Sequence, residues 1–141
     1  MLSFIDDHTR YTWLYPLRRK SDFLECFLKF QNLVENQLER RIKIFQSDDG
    51  GEFQSIKFQN HLSNCGILQQ VSCSKTLEQI GVAERKHRHI VEMGLTMLFH
   101  AKLPLSLWVG AFLTNVYLIN RLPSMVLKME SPLFMLFKQY P

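Results

Sequence analysis

The sequence has few of the cysteines, glycines and prolines that mark disulfide-rich, collagen-like or linker sequences. Its 141 residues include three cysteines, six glycines and five prolines, and neither an internal repeat nor a Pro/Gly-rich linker is present. With 46% hydrophobic and 21% charged residues, the composition excludes a disordered tail, a collagen-like chain and a low-complexity linker. Because the length suits one hydrophobic core, we expect a single domain over residues 1–141.

The cysteines lack the spacing of a disulfide framework. Cys26, Cys65 and Cys73 are odd in number and contain no C-x-x-C pair, which favours a reducing compartment. His61, Cys65 and Cys73 form at most half of a zinc site, and their spacing matches no closed tetrahedral pattern. Buried or half-buried thiols are the favoured interpretation.

The sequence predicts neither a secretory signal nor a membrane span. The first five residues run into Asp6 and Asp7 without a basic n-region or an apolar h-region. Residues 103–120 carry no formal charge, and this uncharged stretch is long enough to be a candidate membrane span. They contain Pro104 and several polar residues, however, and their apolar residues favour one helical face, so a core helix is expected.

The charge balance is mildly basic. Lysine and arginine number 17 against 13 aspartates and glutamates, which gives a formal charge of +4 and an isoelectric point near 9.1. Such an excess permits a polyanionic partner without requiring one.

Hydrophobic periodicity predicts a mixed α/β domain. The expected order is strand, strand, helix, strand, helix, strand, helix, helix, with a short helical turn in the tail. Consecutive strands followed by alternation favour a mixed sheet covered by helices. The predicted strands are 2–5, 12–17, 42–45 and 67–71, and the predicted helices are 21–40, 55–64, 82–102 and 106–122.

Two acidic residues stand where such a fold places reactive groups. Asp48 closes the third strand at the carboxyl edge of the sheet, and Gly50 and Gly51 let the backbone turn beside it. Glu84 lies near the start of the long helix. A facing pair of carboxylates suits a hard divalent cation such as Mg²⁺. From spacing alone, a turn role for Asp48 and a helix-terminus role for Glu84 remain the stronger interpretation.

Several segments of the chain resemble one protein family, in order and over nearly the whole length. Asp48 and Glu84 have 35 residues between them, as in the D-x35-E half of the D,D-35-E signature of retroviral and retrotransposon integrases. The chain is similar in particular to the integrase core of Copia-type long-terminal-repeat retrotransposons. The matching segments are FIDDHTRYTWLYPLRRKSD, QSDDGGEF, GVAERKHRHIVE, YLINRLPS and SPLFMLF.

The resemblance implies an RNase H-like fold, with a five-stranded mixed sheet flanked by helices. It implies that Asp48 and Glu84 are the second and third ligands of Mg²⁺ (or Mn²⁺), which supports in-line attack by water or a DNA 3′-hydroxyl on a phosphodiester. Arg88 matches a position where retroviral relatives carry a lysine that contacts DNA phosphate. Arg85 and Lys86 either help to hold the DNA backbone or form solvated helix surface.

The chain also departs from the family pattern. The first catalytic aspartate of the family lies on a strand upstream of FIDD, so we expect a core truncated before that residue, with its first strand missing or incomplete. Asp6 and Asp7 match the FIDD residues near a hairpin turn and are not expected to be ligands. Leu77 replaces a usual proline. Ile80 replaces a usual asparagine before Gly81 and cannot make the hydrogen bonds of an amide.

The function implied by the resemblance is DNA integration, with element ends and a target duplex as partners and with homo-oligomers as in the family. It also implies a nuclear location, although no targeting signal is clear. Two interpretations stay open. One is an integrase core, a polynucleotidyl transferase by family, that is inactive as this fragment. The other is a remnant that keeps the fold with only nucleic-acid binding or self-association.

Overall fold

The computed structural model describes residues 1–48, 50–71 and 77–138, and of residues 77–80 it describes the backbone alone. Strands and α-helices follow in the order β1 (Leu2–Ile5), β2 (Thr12–Tyr15), α1 (Phe23–Leu38), β3 (Ile44–Ser47), α2 (Ile56–Cys65), β4 (Leu68–Val71), α3 (Leu77–His100), α4 (Trp108–Arg121) and α5 (Pro132–Phe137). Short 3-10 turns lie at Lys20–Asp22, Gly51–Gln54, Leu105–Leu107 and Met125–Leu127. This order confirms the predicted one.

The four strands form two pairs. β1 and β2 are antiparallel, with Leu2 opposite Tyr15, and β3 and β4 are parallel, with Ile44 opposite Leu68. The mixed α/β class is confirmed, since both pairing directions are present. The resemblance implied one five-stranded sheet with its first strand missing or incomplete. The described residues contain four strands, and these form two two-stranded sheets, β1 with β2 and β3 with β4.

Some element boundaries differ from those predicted. α3 begins at Leu77, so residues 77–80 are helical rather than loop, and Gly81 lies inside the helix. The physical reason is that Leu, Glu and Gln are good helix formers, while one interior glycine costs only about 1 kcal/mol. Ser21 does not cap α1: its hydroxyl donates to Asp22, within the 3-10 turn that precedes the helix.

The chain folds as two compact units. The first comprises Met1–Pro16 and the chain from Ala83 onward, and the second comprises Leu17–Val82. α3 begins in the second unit and continues in the first. The single domain expected over residues 1–141 stays a prediction.

Aromatic side chains form the core of the second unit. Phe23 and Phe27 are buried on α1, and Phe58 is buried on α2. The Phe45 ring of β3 lies 5.3 Å from that of Phe27 and 5.2 Å from that of Phe58, both edge-on. Edge-to-face packing at this spacing adds to the area that the rings bury. The strand is therefore fixed against both helices of its unit.

The connection between the parallel strands runs through α2. Parallel strands cannot be joined by a tight turn, so a crossover helix is required. Ser55 caps α2 by accepting the Phe58 N–H, and Gly66 ends it at φ 70°. The Gly66 N–H donates to the carbonyls of Leu62 and Ser63. A left-handed residue favours glycine, and the helix ends one residue beyond the predicted bound of 64.

A polar turn joins β1 and β2 in the first unit. The backbone N–H and the hydroxyl of Thr9 donate to Asp6 Oδ2 at 2.8 and 2.6 Å. Arg10 adopts φ 61° and pairs with Asp7 at 2.8 Å. Both carboxylates therefore serve the turn, as the sequence predicts.

α3 and α4 pack through a small apolar core around Ile90, Phe112 and Val116. Two buried asparagines of α4 find partners in this unit. Asn115 donates to the Ile90 carbonyl, and Asn120 exchanges two hydrogen bonds of 2.9 and 2.8 Å with the Thr12 backbone. Satisfied buried amides of this kind fix the register of neighbouring elements. Among the described residues, no helix has the combined length and hydropathy to cross a membrane.

Gly94 of α3 lies directly against the Phe112 ring of α4. A Cβ atom built on Gly94 would overlap that ring. Because the Phe112 ring is buried, we expect Gly94→Ala to lower the free energy of unfolding by about 1–3 kcal/mol. Gly110→Ala is the matched control, since its Cβ meets no atom within 4 Å. The measurement is denaturant unfolding, and equal stability of Gly94→Ala and the parent chain would contradict this packing.

Candidate metal and nucleic-acid site

Asp48 follows directly after β3, at the carboxyl end of the strand. Its position is set by the four-residue pairing of β3 with β4 and by the packing of Phe45. The side chain is exposed, and its Oδ1 accepts the Gly50 N–H at 3.1 Å. Among the described residues, Oδ2 accepts no hydrogen bond. One carboxylate oxygen thus holds the turn while the other is open to a ligand.

The loop after Asp48 is closely packed. A Cβ atom on Gly50 would lie 3.0 Å from Asp48 Oδ1 and 3.1 Å from the Phe53 ring. The Gln69 side chain of β4 donates to the Phe53 carbonyl at 2.9 Å. A side chain at position 50 would therefore crowd both the Asp48 carboxylate and the Phe53 ring, and one of them would have to shift.

Glu84, Arg85 and Arg88 lie on the exposed surface of α3 in the first unit. Glu84 and Arg88 are one helical turn apart, a spacing that permits an ion pair. The described residues include no ion pair of Glu84, Arg85 or Arg88. The Glu84 carboxylate is therefore not engaged by its neighbouring cations, and both guanidinium groups face solvent.

Lys86 differs from the two arginines because it is half-buried. Burial lowers the pKa of the Lys86 ammonium, and the positive charge of Arg10 adds to this effect. Lys86 lies one helical turn before the buried Ile90, so its side chain is on the partly enclosed side of α3. Of the three basic residues predicted to contact DNA, Arg85 and Arg88 are the accessible ones.

The two predicted metal ligands belong to different units: Asp48 to the second and Glu84 to the first. Within the described ranges, no group of three or more His, Cys, Asp or Glu side chains is arranged to hold a metal ion. The chemistry of the donors nevertheless fits a hard cation, because both side chains are exposed carboxylates.

The zinc interpretation gains no third ligand from the structure. His61 Nε2 lies 3.6 Å from Cys65 Sγ, while Cys73 falls outside the described residues. The same nitrogen is 2.7 Å from Gln31 Oε1, and the Gln31 amide donates to Glu35 at 3.4 Å. The sequence did not predict these linked polar side chains of α1 and α2. In the sequence they are marked only by the four-residue spacing of Gln31 and Glu35 on α1 and of His61 and Cys65 on α2.

Comparison with known proteins finds close relatives among transposon polyproteins. The chain is 51% identical over 138 residues to the retrovirus-related Pol polyprotein from transposon RE1 of Arabidopsis thaliana, covering 98% of the chain and 9% of the relative. It is 44% identical over 131 residues to the corresponding polyprotein from transposon TNT 1-94 of Nicotiana tabacum, covering 93% and 10%. The chain thus spans about a tenth of the length of these relatives. No model of a protein family matches it.

Solved structures show the same fold at low sequence identity. The HTLV-2 integrase catalytic core domain, in complex with magnesium and in its trimeric form, superposes with a TM-score of 0.70 at 17% identity, over 95% of this chain and 82% of that one. A simian T-cell lymphotropic virus intasome in complex with PP2A regulatory subunit B56 gamma gives 0.74 at 15% identity, over 96% and 47%. The chain belongs to the retrovirus-related Pol polyproteins of transposons and has the fold of retroviral integrase catalytic cores. The family resemblance drawn from the sequence motifs and the RNase H-like fold class are both confirmed.

Proposed function

We propose that this integrase core is of the Copia type and serves DNA integration, by strand transfer of element DNA into target DNA in the nucleus. The observation that carries the proposal is the 51% identity over 138 residues to the Pol polyprotein from transposon RE1. The integrase-core fold supports it. Because an intasome is among the structural neighbours, element ends, a target duplex and further copies of the chain are the proposed partners.

Asp48 and Glu84 are the proposed ligands of Mg²⁺ or Mn²⁺. Their support is the 35-residue spacing, the placement of Asp48 at the end of β3, and the exposure of both carboxylates. The magnesium in the HTLV-2 core is consistent with such a site. A third carboxylate would come from the upstream strand of the family. When bound, the ion supplies Lewis-acid polarisation of a phosphodiester oxygen.

The chain's own residues then have distinct parts in the proposed reaction. The loop at Gly50 holds Asp48 in place through the hydrogen bond to its carboxylate. Arg88 and Arg85 neutralise backbone phosphates and so fix the position of the DNA without reading its sequence. Lys86 contributes less to DNA binding because it is half-buried.

A second candidate function is a remnant that binds nucleic acid or associates with itself but does not catalyse. One observation favours it: Leu77 and Ile80 depart from the family pattern a few residues before Glu84. The two candidates differ in whether the chain carries out strand transfer that requires Glu84.

The catalytic proposal is tested on a longer chain that includes the strand bearing the first aspartate of the family pattern. The chain is extended by the strand that precedes the matched segment in the RE1 polyprotein and incubated with an element-end oligonucleotide, a target duplex and Mn²⁺. We expect strand-transfer products, and we expect Glu84→Gln to reduce them by about 100-fold or more because a metal ligand is lost. Glu92→Gln, an exposed glutamate on the same helix, is the control and retains activity. A folded but inactive extended chain would favour the remnant.

DNA binding is tested separately from catalysis. We expect Arg88→Ala to weaken binding of the chain to duplexes of any sequence, and to reduce the slope of log affinity against log salt by about 1, since one phosphate contact is lost. Arg40→Ala removes an equally exposed cation beyond the end of α1 and is the control. The measurement is fluorescence anisotropy across a salt series. An unchanged salt slope in Arg88→Ala would remove this residue from the DNA path.

A further inference from the structure

The turn between α3 and α4 exposes a cluster of large apolar side chains within the first unit. Phe99, Leu103, Leu105 and Leu107, which we term the apolar corner, have exposed fractions of 67, 47, 57 and 49%. Four such side chains lie within nine residues, whereas exposed apolar residues ordinarily occur singly. A patch of this kind on a folded domain marks an interaction surface.

The apolar corner is held in one conformation. Leu98, buried beside it, accepts the Leu103 N–H on its carbonyl at 2.9 Å. Lys102 adopts φ 54° and donates its N–H to the Phe99 carbonyl at 3.1 Å, and Leu107 donates to the Pro104 carbonyl at 3.1 Å. A surface that is already ordered loses little conformational entropy on binding, which favours affinity.

The segment that forms the apolar corner carries positive charge and no negative charge. Residues 99–107 contain Lys102 and no aspartate or glutamate. Lys102 is exposed, as is the neighbouring His100. The segment therefore presents apolar side chains together with one cation, which complements an acidic partner.

The size and the charge of the apolar corner together indicate what kind of partner it binds. The apolar corner presents on the order of 400 Å² of apolar surface, about half of the 800 Å² that each partner buries in a standard interface. A second copy packed corner to corner would bring the two Lys102 side chains close together. An anionic membrane is recruited by clusters of about four to eight basic residues, and the corner carries one lysine. A short amphipathic helix with acidic residues matches both the size and the sign.

We propose that the apolar corner binds a short, acidic, amphipathic segment of another protein. Leucine or phenylalanine side chains of that segment would pack on Phe99 and Leu105, while its carboxylates face Lys102. This proposal goes beyond DNA integration and does not depend on Asp48 or Glu84, so each stands or fails by itself.

The test uses the 141-residue chain and three fluorescent 16-residue helical peptides. One has leucine and phenylalanine on one face and glutamate on the other. The second replaces its glutamates by lysine, and the third replaces its apolar residues by serine. We expect saturable binding of the first peptide alone, weakened about tenfold or more by Phe99→Ser and by Leu105→Ser. Lys102→Glu is expected to weaken it as well, and salt to weaken it progressively.

Leu28→Ser and Leu33→Ser remove exposed leucines of α1 in the other unit and are the matched controls, with affinity unchanged. Because the substituted residues are exposed, all variants should unfold at the same denaturant concentration as the parent chain. Equal binding of the lysine peptide would overturn the proposal, as would no binding of the acidic one. So would preferential binding to phosphatidylserine vesicles, or a concentration-dependent dimer that Leu105→Ser abolishes.

Discussion

The contact of the Phe45 ring with Phe27 and Phe58 is the constraint on which the candidate site depends. These rings bind β3 to the two helices of its unit, and they thereby determine where the strand ends. Asp48 is the next residue, and its carboxylate is held by the N–H of Gly50. A loosened aromatic core would shift the strand and the carboxylate together. The aromatic packing thus determines where the Asp48 carboxylate lies at the end of β3.

A second set of contacts orients α3 within its own unit. Ile90 and Gly94 lie against α4, with Gly94 so close to Phe112 that no side chain fits between the helices. This packing turns Glu84, Arg85 and Arg88 to the exposed surface and encloses part of Lys86. A single helix thereby presents a carboxylate and two cations to solvent without pairing them, an arrangement suited to a metal ion and a phosphate.

Local patterns made much of the fold predictable. The helices predicted over residues 21–40 and 55–64 lie close to α1 and α2, because hydrophobic periodicity is a local signal that depends on residues three and four apart. The start of α3 and the half-burial of Lys86 were not predictable, since Lys86 is affected by Arg10, which is remote in sequence. For the site, the motifs placed Asp48 and Glu84 on the correct elements. Their sharing of one ion depends on tertiary geometry and stays a prediction.

The proposal that Asp48 and Glu84 bind the same divalent cation is tested most directly by titrating the isotope-labelled chain with Mn²⁺ and following the paramagnetic broadening of amide resonances. If they do, we expect Gly50 and Arg85 to broaden at the same metal concentration. We also expect Glu84→Gln to weaken the broadening at Gly50, while Glu92→Gln does not. Broadening at Gly50 that is indifferent to Glu84→Gln would contradict a shared ion.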